Sequence, residues 1–326
     1  MRWIIDPEIP LGIWVRDGIR WLQNNVAWLF DGIHTALSTI YDAFYTVLTW
    51  PPYWVIILIF AAIAWLASSW RLAVFTVIGF WVIQAFDQWN NAMSTISLVV
   101  LAVLFALLLS IPLGIWAARS DTVSKIVKPI LDLMQTMPAM VYLVPAIVLF
   151  GIGPTPGAIA TLIFAMPPGV RLTELAIRQV DKELVEAGYA FGSTPGRVLG
   201  QIQLPAAMPT IMAGVNQVIM LALSMVVLAG MAGAGGLGGD VVGSLTTLNV
   251  PLGVEAGLAV VIIAIFLDRT SASVGQRRRR RRRVRTTGAA AEAEMEAEAA
   301  DQPENTSTPD EPENPENTDE TERRNT

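Results

Sequence analysis

Few side chains in this sequence are of the types that carry out catalysis. The 326 residues include no cysteine and one histidine, His34, so disulfides and cysteine-ligated metals are excluded, and a histidine-based metal site is not expected. A phosphate-binding loop needs lysine directly after glycine, but none of the three lysines, Lys125, Lys128 and Lys182, follows a glycine. The chain is therefore predicted not to be an enzyme, to hold no cofactor or metal, and to leave ATP to another polypeptide.

One segment combines specific residue types at set spacing. Its seven positions are Glu186, Ala187, Gly188, Gly192, Ile202, Leu204 and Pro205. Gly192 followed by Ser193-Thr194-Pro195 predicts a helix end and a new helix start, with Ser193 or Thr194 as the N-cap. The second short helix is expected over about 195–202, ending before the proline at 205. Small residues at 187, 188 and 192 are expected to let a partner surface approach the backbone closely.

This spacing resembles the signature of permease subunits of binding-protein-dependent ABC importers, which reads Glu-Ala-Ala, three residues, Gly, nine residues, Ile-x-Leu-Pro. Gly188 stands where alanine is usual. The resemblance implies a cytoplasmic loop that docks on a separate ATPase subunit, which binds the ATP. Glu186 is expected to pair with a basic residue of the loop or of the ATPase. The alternative is an ordinary helix-turn-helix connector with a surface glutamate.

Further stretches resemble the glycine betaine/proline betaine branch of these permeases. They are 113–120, 135–139, 142–145, 209–217 and 221–225. The branch implies import of a compatible solute for osmoprotection, an extracytoplasmic substrate-binding protein, a second permease copy in a homodimer, and no nucleic-acid partner. Choline, carnitine or another small solute is the alternative cargo. An ATP-independent channel or carrier is the alternative class, although no internal repeat supports it.

The elements that must position these residues are membrane-spanning helices. Hydrophobic residues make up 53% of the chain and fall into runs of about 17–25 residues, the length of a membrane-crossing helix. We expect an all-α polytopic membrane protein with about seven spans, six and eight being the alternatives. The expected spans are 53–69, 71–86, 93–117, 138–152, 156–170, 207–231 and 252–268. Prolines between 138 and 168 predict that the fourth and fifth spans are broken helices.

Charge and periodicity divide the chain and orient it. Apolar residues at steps of three and four predict an amphipathic region over 1–52, on the membrane surface or as a small helical cap. Eleven tryptophans, all before residue 117, indicate interface anchoring and packing rather than an aromatic cage. Lysine and arginine in the loops 118–137 and 171–206 place these loops in the cytoplasm. The first two spans occupy 53–90 and the ABC transmembrane domain 91–275 of a plasma-membrane protein with an external N-terminus and a cytoplasmic C-terminus.

Polar residues inside the sixth expected span are candidates for the solute path. They are Asn216, Gln217 and Ser224. Intramembrane polar side chains usually face the bundle interior. Interhelical hydrogen bonding is the equally supported alternative.

The end of the chain sets a basic block against an acidic one. The Arg-rich segment 276–285 contains seven consecutive arginines, Arg277, Arg278, Arg279, Arg280, Arg281, Arg282 and Arg283. The segment 286–326 carries thirteen acidic residues and two arginines, and its composition predicts disorder. A positive-inside stop signal explains the arginines most simply. Binding to membrane lipid or to the acidic tail, loosened by salt, is the alternative.

Overall fold

Twelve helices follow one another between residues 11 and 273, the part of the chain that this computed structural model describes, and no strand occurs within it. The first six are α1 (Leu11–Asn25), α2 (Ala27–Thr49), α3 (Tyr53–Ala67), α4 (Trp70–Ala85), α5 (Trp89–Arg119) and α6 (Asp121–Thr136). The others are α7 (Met140–Phe150), α8 (Pro154–Arg178), α9 (Lys182–Ala190), α10 (Pro195–Ala232), α11 (Gly236–Thr247) and α12 (Val250–Ser273). The all-α expectation is therefore confirmed for these residues.

Four of the described helices, α5, α8, α10 and α12, are long and apolar enough to cross a membrane alone. Two bent pairs, α2 with α3 at 100° and α6 with α7 at 99°, raise the number to six if each pair is one span. The apolar α4 has only 16 residues. Length and composition thus support four to six spans. The count of seven, which takes α3, α4 and α7 as separate spans, stays a prediction.

The centre of the bundle is a three-helix unit in which α8 packs along both α5 and α10. Small residues let these helices approach closely. A Cβ added to Gly114 of α5 would lie 2.6 Å from Thr173 of α8, and one on Gly169 would lie 2.5 Å from Ser110. Because lipid tails are as apolar as leucine, close van der Waals packing of this kind is a main source of helix association in membranes.

A second contact region joins α3, α4 and α12 through three phenylalanine rings. The ring centroids of Phe60, Phe80 and Phe266 lie 5.0–5.4 Å apart. The two N-terminal helices lie against the central unit. The Tyr41 hydroxyl of α2 is 2.7 Å from the Ser94 hydroxyl of α5, and the Gln23 amide of α1 donates to the Val148 carbonyl of α7. Both contacts hold the predicted amphipathic region on the bundle.

Tryptophan side chains lie mostly on the outside of the molecule. Nine of the ten in the described residues are more than half exposed, and Trp89 is the buried one. This distribution fits anchoring at the membrane interface, whereas the predicted packing role holds for Trp89 alone.

Two sequence-based expectations about local structure were wrong. The loop expected over 118–137 is largely the helix α6, whose buried face includes Ser124 and Leu131. The fifth expected span, 156–170, is an unbroken helix that contains Pro167 and Pro168 and continues to residue 178. Its last two turns bury Ala176 and Ile177 in a cluster with Ala207 and Ile211 of α10, and their charged side chains pair with residues of opposite charge on α6.

Candidate functional site

The segment with set spacing folds as a helical hairpin, defined here as residues 181–203. The Asp181 side chain caps α9 by accepting a hydrogen bond from the Glu183 backbone N–H at 3.0 Å. The next helix starts at Pro195, and Thr194 rather than Ser193 takes the N-cap position, without a side-chain hydrogen bond. The predicted helix end, turn and restart are therefore confirmed.

Gly192 closes α9 in a Schellman motif. The Ser193 N–H donates to the Gly188 carbonyl at 3.1 Å, and the Gly192 N–H donates to the Tyr189 carbonyl at 2.9 Å. Gly192 has φ of +75°, a left-handed conformation that glycine adopts without steric cost. Nothing else lies within 4 Å of where its Cβ would be. The turn geometry thus explains the glycine without any partner.

Gly188 is small because of a contact within the chain. It is buried, and an added Cβ would lie 2.5 Å from Cδ1 of Ile202 and 3.4 Å from Cγ2 of Val198. Two positions of the motif, fourteen residues apart, therefore touch across the hairpin. The contact within the chain accounts for the small residue at 188, so the expectation that a partner surface reaches it stays a prediction, whereas Ala187 is exposed.

The second helix of the hairpin does not end before Pro205. It runs on into the membrane-spanning part of α10, through a π-helical stretch over Val198–Gln203. The Leu204 N–H bonds to the carbonyl of Leu199, five residues back. A proline lacks the donor of a helical hydrogen bond and crowds the preceding turn, and the wider π turn lies directly before it. Leu204 packs beside Ala176 and Ala207, so the hairpin is continuous with the bundle.

Glu186 is exposed on the first helix of the hairpin. With Arg178 and Lys182 it lines a cavity of about 190 Å³ between the hairpin and the ends of α5 and α8. None of the ion pairs among the described residues includes Glu186. Two basic side chains thus share this cavity with the glutamate that the motif singles out.

The outer surface of the hairpin carries large apolar side chains. Leu184 and Tyr189 of α9 are 51% and 48% exposed, and Phe191 at the turn is 90% exposed. Sequence reasoning did not single out these three residues. A phenylalanine beside a predicted helix stop was the available signal.

An ion-pair network behind the hairpin was also missed. Glu174 of α8 is 5% exposed at its side chain and is paired with Lys128 of α6 and Arg178. Arg178 also donates to Asp121 at 2.7 Å, and this hydrogen bond holds the pKa of that carboxyl below its usual value. The i, i+4 spacing of Glu174 and Arg178 at the end of an apolar run was the signal in the sequence.

The structure separates the three candidate path residues. Gln217 and Ser224 lie on one exposed face of α10. Ala213 and Met220 belong to the same face. Ser224 donates to the Met220 carbonyl of its own helix, so it makes no interhelical bond among the described residues. The Asn216 Oδ1 is instead buried and has no hydrogen-bond partner in the described part of the chain.

The far end of α10 forms a second turn, the glycine turn, defined here as residues 230–239. Gly233 has φ of +75°, and the N–H groups of Gly233 and Ala234 donate to the carbonyls of Gly230 and Ala229. Two hydrogen bonds join this end of the chain to α5: the Leu237 N–H donates to the Thr95 hydroxyl, and the Asn91 amide donates to Asp240.

Two further expectations concern metals and the basic block. Between residues 11 and 273 no three metal-ligating side chains come together. The arginines 277–283 and the acidic tail lie outside the described residues.

Comparison with known proteins decides the family. The model of the binding-protein-dependent transport system inner membrane component matches residues 110–280, which contain the hairpin. The chain belongs to this family of ABC importer permeases. The permease is 47% identical over 268 residues to the glycine betaine transport system permease protein of Bacillus subtilis strain 168, covering 82% of this chain and 95% of the relative.

Two other relatives are similarly close. The glycine betaine/proline betaine transport system permease protein of Escherichia coli K12 is 47% identical over 277 residues, covering 84% of the permease and 78% of that protein. The glycine betaine/carnitine transport permease protein of Listeria monocytogenes is 46% identical over 279 residues, covering 83% and 97%.

The fold also matches a solved structure. An inward-facing conformation of the MetNI methionine ABC transporter superposes with a TM-score of 0.53 at 20% identity, covering 57% of the permease and 93% of that chain. At this identity the match concerns the fold alone. It supports an all-helical, multi-pass membrane architecture for the permease.

Proposed function

We propose that this chain is the membrane-spanning subunit of an ATP-driven importer of glycine betaine, proline betaine or a similar compatible solute. A separate ATPase would drive it through the hairpin, an external binding protein would deliver the solute, and a second copy of the chain would complete the path. The relatives whose names specify glycine betaine support the cargo. The hairpin supports the coupling.

The exposed apolar surface of the hairpin is the observation that carries the coupling proposal. Phe191 is 90% exposed at the tip of a helical hairpin whose shape is fixed within the chain by the contact between Gly188 and Ile202. Exposed aromatic side chains on a rigid support are the usual anchors of protein interfaces. In this role Glu186 and Ala187 lie at the base of the contact, and Gly188, Gly192, Ile202, Leu204 and Pro205 maintain the shape of the hairpin.

Replacing the anchor tests the coupling. Phe191→Ala should weaken retention of the ATPase during purification by roughly thirtyfold, since an interface anchor contributes about 2 kcal/mol. Leu245→Ala, which truncates a side chain 71% exposed on α11, is the matched control and should retain the ATPase fully. Equal retention by both variants would contradict docking at the hairpin.

The orientation follows from charge. Arg171, Arg178, Lys182 and Arg197 lie at the hairpin end of the bundle, which we place in the cytoplasm with the C-terminus, and the N-terminus outside. Because the chain has no cysteine, a maleimide that cannot cross membranes should label Thr247→Cys in intact cells and leave Glu183→Cys unlabelled. The reverse pattern would overturn this orientation.

The cargo needs a direct measurement. Vesicles that contain the permease, its ATPase and its binding protein should accumulate labelled glycine betaine only with internal ATP. Carnitine is the second candidate because one relative is named for glycine betaine and carnitine. Uptake of carnitine without uptake of glycine betaine would identify carnitine as the cargo. Accumulation of either solute without ATP would favour a channel or carrier.

The solute path and the basic block remain part of the proposal. Gln217 and Ser224, on the exposed face of α10, fit a path enclosed between two copies of the chain, whereas Asn216 points into the bundle. Contact of the arginines 277–283 with membrane lipid would make transport respond to ionic strength. An unchanged ionic-strength threshold after replacing these arginines with glutamine would sink that idea.

A further inference from the structure

Glu174 is a buried carboxylate within the membrane-spanning helix α8. Its Oε1 accepts a hydrogen bond from the Ser124 hydroxyl at 2.7 Å and lies 3.0 Å from Nε of Arg178 and 3.3 Å from Nζ of Lys128. Its side chain is 5% exposed. Because burying a carboxylate is costly unless partners of opposite charge accompany it, the three partners and the burial together define a built site rather than a chance surface contact.

Arg178 extends the site to a third helix. One guanidinium nitrogen donates to Asp121 at the start of α6, and another donates at 2.9 Å to the backbone carbonyl of Ala117 in the last turn of α5. A carbonyl in this position has no partner within its own helix. Arg178 therefore joins the end of α5, the start of α6 and the buried carboxylate of α8.

The contacts form a continuous seam between α6 and α8. The α6 side recurs at steps of three and four, and its residues are Asp121, Ser124, Lys128 and Asp132. The α8 side runs in the opposite direction through Arg178, Glu174 and Arg171. Three residues beyond Arg178, Asp181 caps the first helix of the hairpin. The seam thus ends where the hairpin begins.

We infer that Glu174 is a positioning residue for energy coupling, which ties α6 to α8 so that a displacement of the hairpin moves both helices together. The inference rests on the proposed function, because it assumes that a separate ATPase displaces the hairpin. The reach of the movement follows from the fold. α6 leads into α7 through a 99° bend, and Leu143 and Ala146 of α7 belong to the same buried apolar cluster as Met225 of α10. The seam therefore connects the hairpin to a helix that shares this cluster with α10.

The test measures solute moved per ATP hydrolysed in vesicles that contain the permease, its ATPase and its binding protein. Glu174→Gln keeps the shape and an acceptor for Ser124 but removes the charge that holds Arg178 and Lys128. We expect ATP hydrolysis per assembled complex within about twofold of wild type and a transport-to-hydrolysis ratio lowered about tenfold. A merely structural role would lower both rates in proportion to the assembled complex. An unchanged ratio would overturn the inference.

Two further variants complete the test. Asp132→Asn removes an ion pair between the same two helices whose carboxylate is 65% exposed, and its ratio should match wild type. A loss equal to that of Glu174→Gln would contradict the special role of the buried carboxylate. If Glu174→Gln fails to assemble, Arg178→Lys keeps the positive charge and loses the bridge to Ala117, so its ratio should fall at least about threefold. An unchanged ratio in assembled Arg178→Lys would equally overturn the inference.

The outcomes also separate this inference from the proposed function. A wild-type permease that retains no ATPase would contradict the proposed function itself. Glu174→Gln complexes that assemble and transport with an unchanged ratio of solute moved to ATP hydrolysed would contradict the positioning role alone.

Discussion

The two turns that flank α10 use the same backbone device in opposite surroundings. The hairpin leads into α10 and the glycine turn follows it, and each contains a Schellman motif with a glycine at φ of +75°, Gly192 in the first and Gly233 in the second. Within the described part of the chain, no atom outside the adjoining backbone lies within 4 Å of a Cβ built on Gly192. A Cβ on Gly233 would lie 2.3 Å from Cγ2 of Ile152.

The neighbouring glycines extend this difference. In the glycine turn, a Cβ on Gly230 would lie 2.2 Å from the backbone carbon of Gly238, and one on Gly238 would lie 2.7 Å from the Val226 carbonyl. At Gly230 and Gly238, backbone packs on backbone, with no flexible side chain to yield. In the hairpin, Gly188 faces the far end of the Ile202 side chain instead. The glycine turn is therefore a fixed joint, and the hairpin leaves its outer surface free for a partner.

The largest effect is expected where backbone meets backbone. Gly230→Ala should destabilise the protein by about 3 kcal/mol, because neither α10 nor α11 can yield without moving a whole helix. Unfolding in mixed detergent micelles measures the change. Gly239→Ala, where nothing lies within 4 Å, is the control and should change stability by less than about 0.5 kcal/mol. Similar stability of the two variants would contradict the fixed joint.

The matched glycines of the two Schellman motifs should differ by an intermediate amount. Gly192→Ala should cost about 1 kcal/mol, which is the conformational penalty of a left-handed residue alone. Gly233→Ala should cost roughly 1 kcal/mol more because its Cβ also meets Ile152. Combining Gly233→Ala with Ile152→Ala should remove the excess. Equal losses of stability in Gly192→Ala and Gly233→Ala would contradict the difference in surroundings between the two turns.

The smallest effect is expected at Gly188. Gly188→Ala restores the residue usual in the signature and needs only a small shift of Cδ1 of Ile202, so it should cost less than about 1 kcal/mol and retain the ATPase. Gly188→Val, which adds two further methyl groups towards Val198, should lose both stability and ATPase retention. A Gly188→Ala variant that fails to bind the ATPase would show that residue 188 has a contact outside this chain.

Much of the fold follows from the sequence. The apolar runs gave the positions of α5 and α12, and the end of α10, within about five residues, because each run is a local property that the membrane enforces. The turn at Gly192 and the restart at Pro195 were also predicted, since both residues act through their own backbone angles. These signals act over a few neighbouring positions.

Other features depended on residues far apart in the chain. Charge in α6 and in the last turns of α8 indicated loops, but both segments are helices that bury one face and pair their charged side chains with each other. Proline at 205 indicated a helix end, but the π turn before it keeps α10 continuous. Gly188 suggested an approaching partner, but Ile202 of the same hairpin occupies that side.

The sequence by itself determined the class of protein, the main apolar helices and the turn chemistry before α10, because hydropathy and the conformational preferences of glycine and proline are local. Only the tertiary structure decided what surrounds each turn and where the buried charge lies. Glu174 and Ser124 are fifty residues apart, and they meet because α6 packs along α8. Gly192 and Gly233 share a φ of +75°, but only Gly233 is enclosed, because Ile152 from a distant part of the chain fills the space beside it.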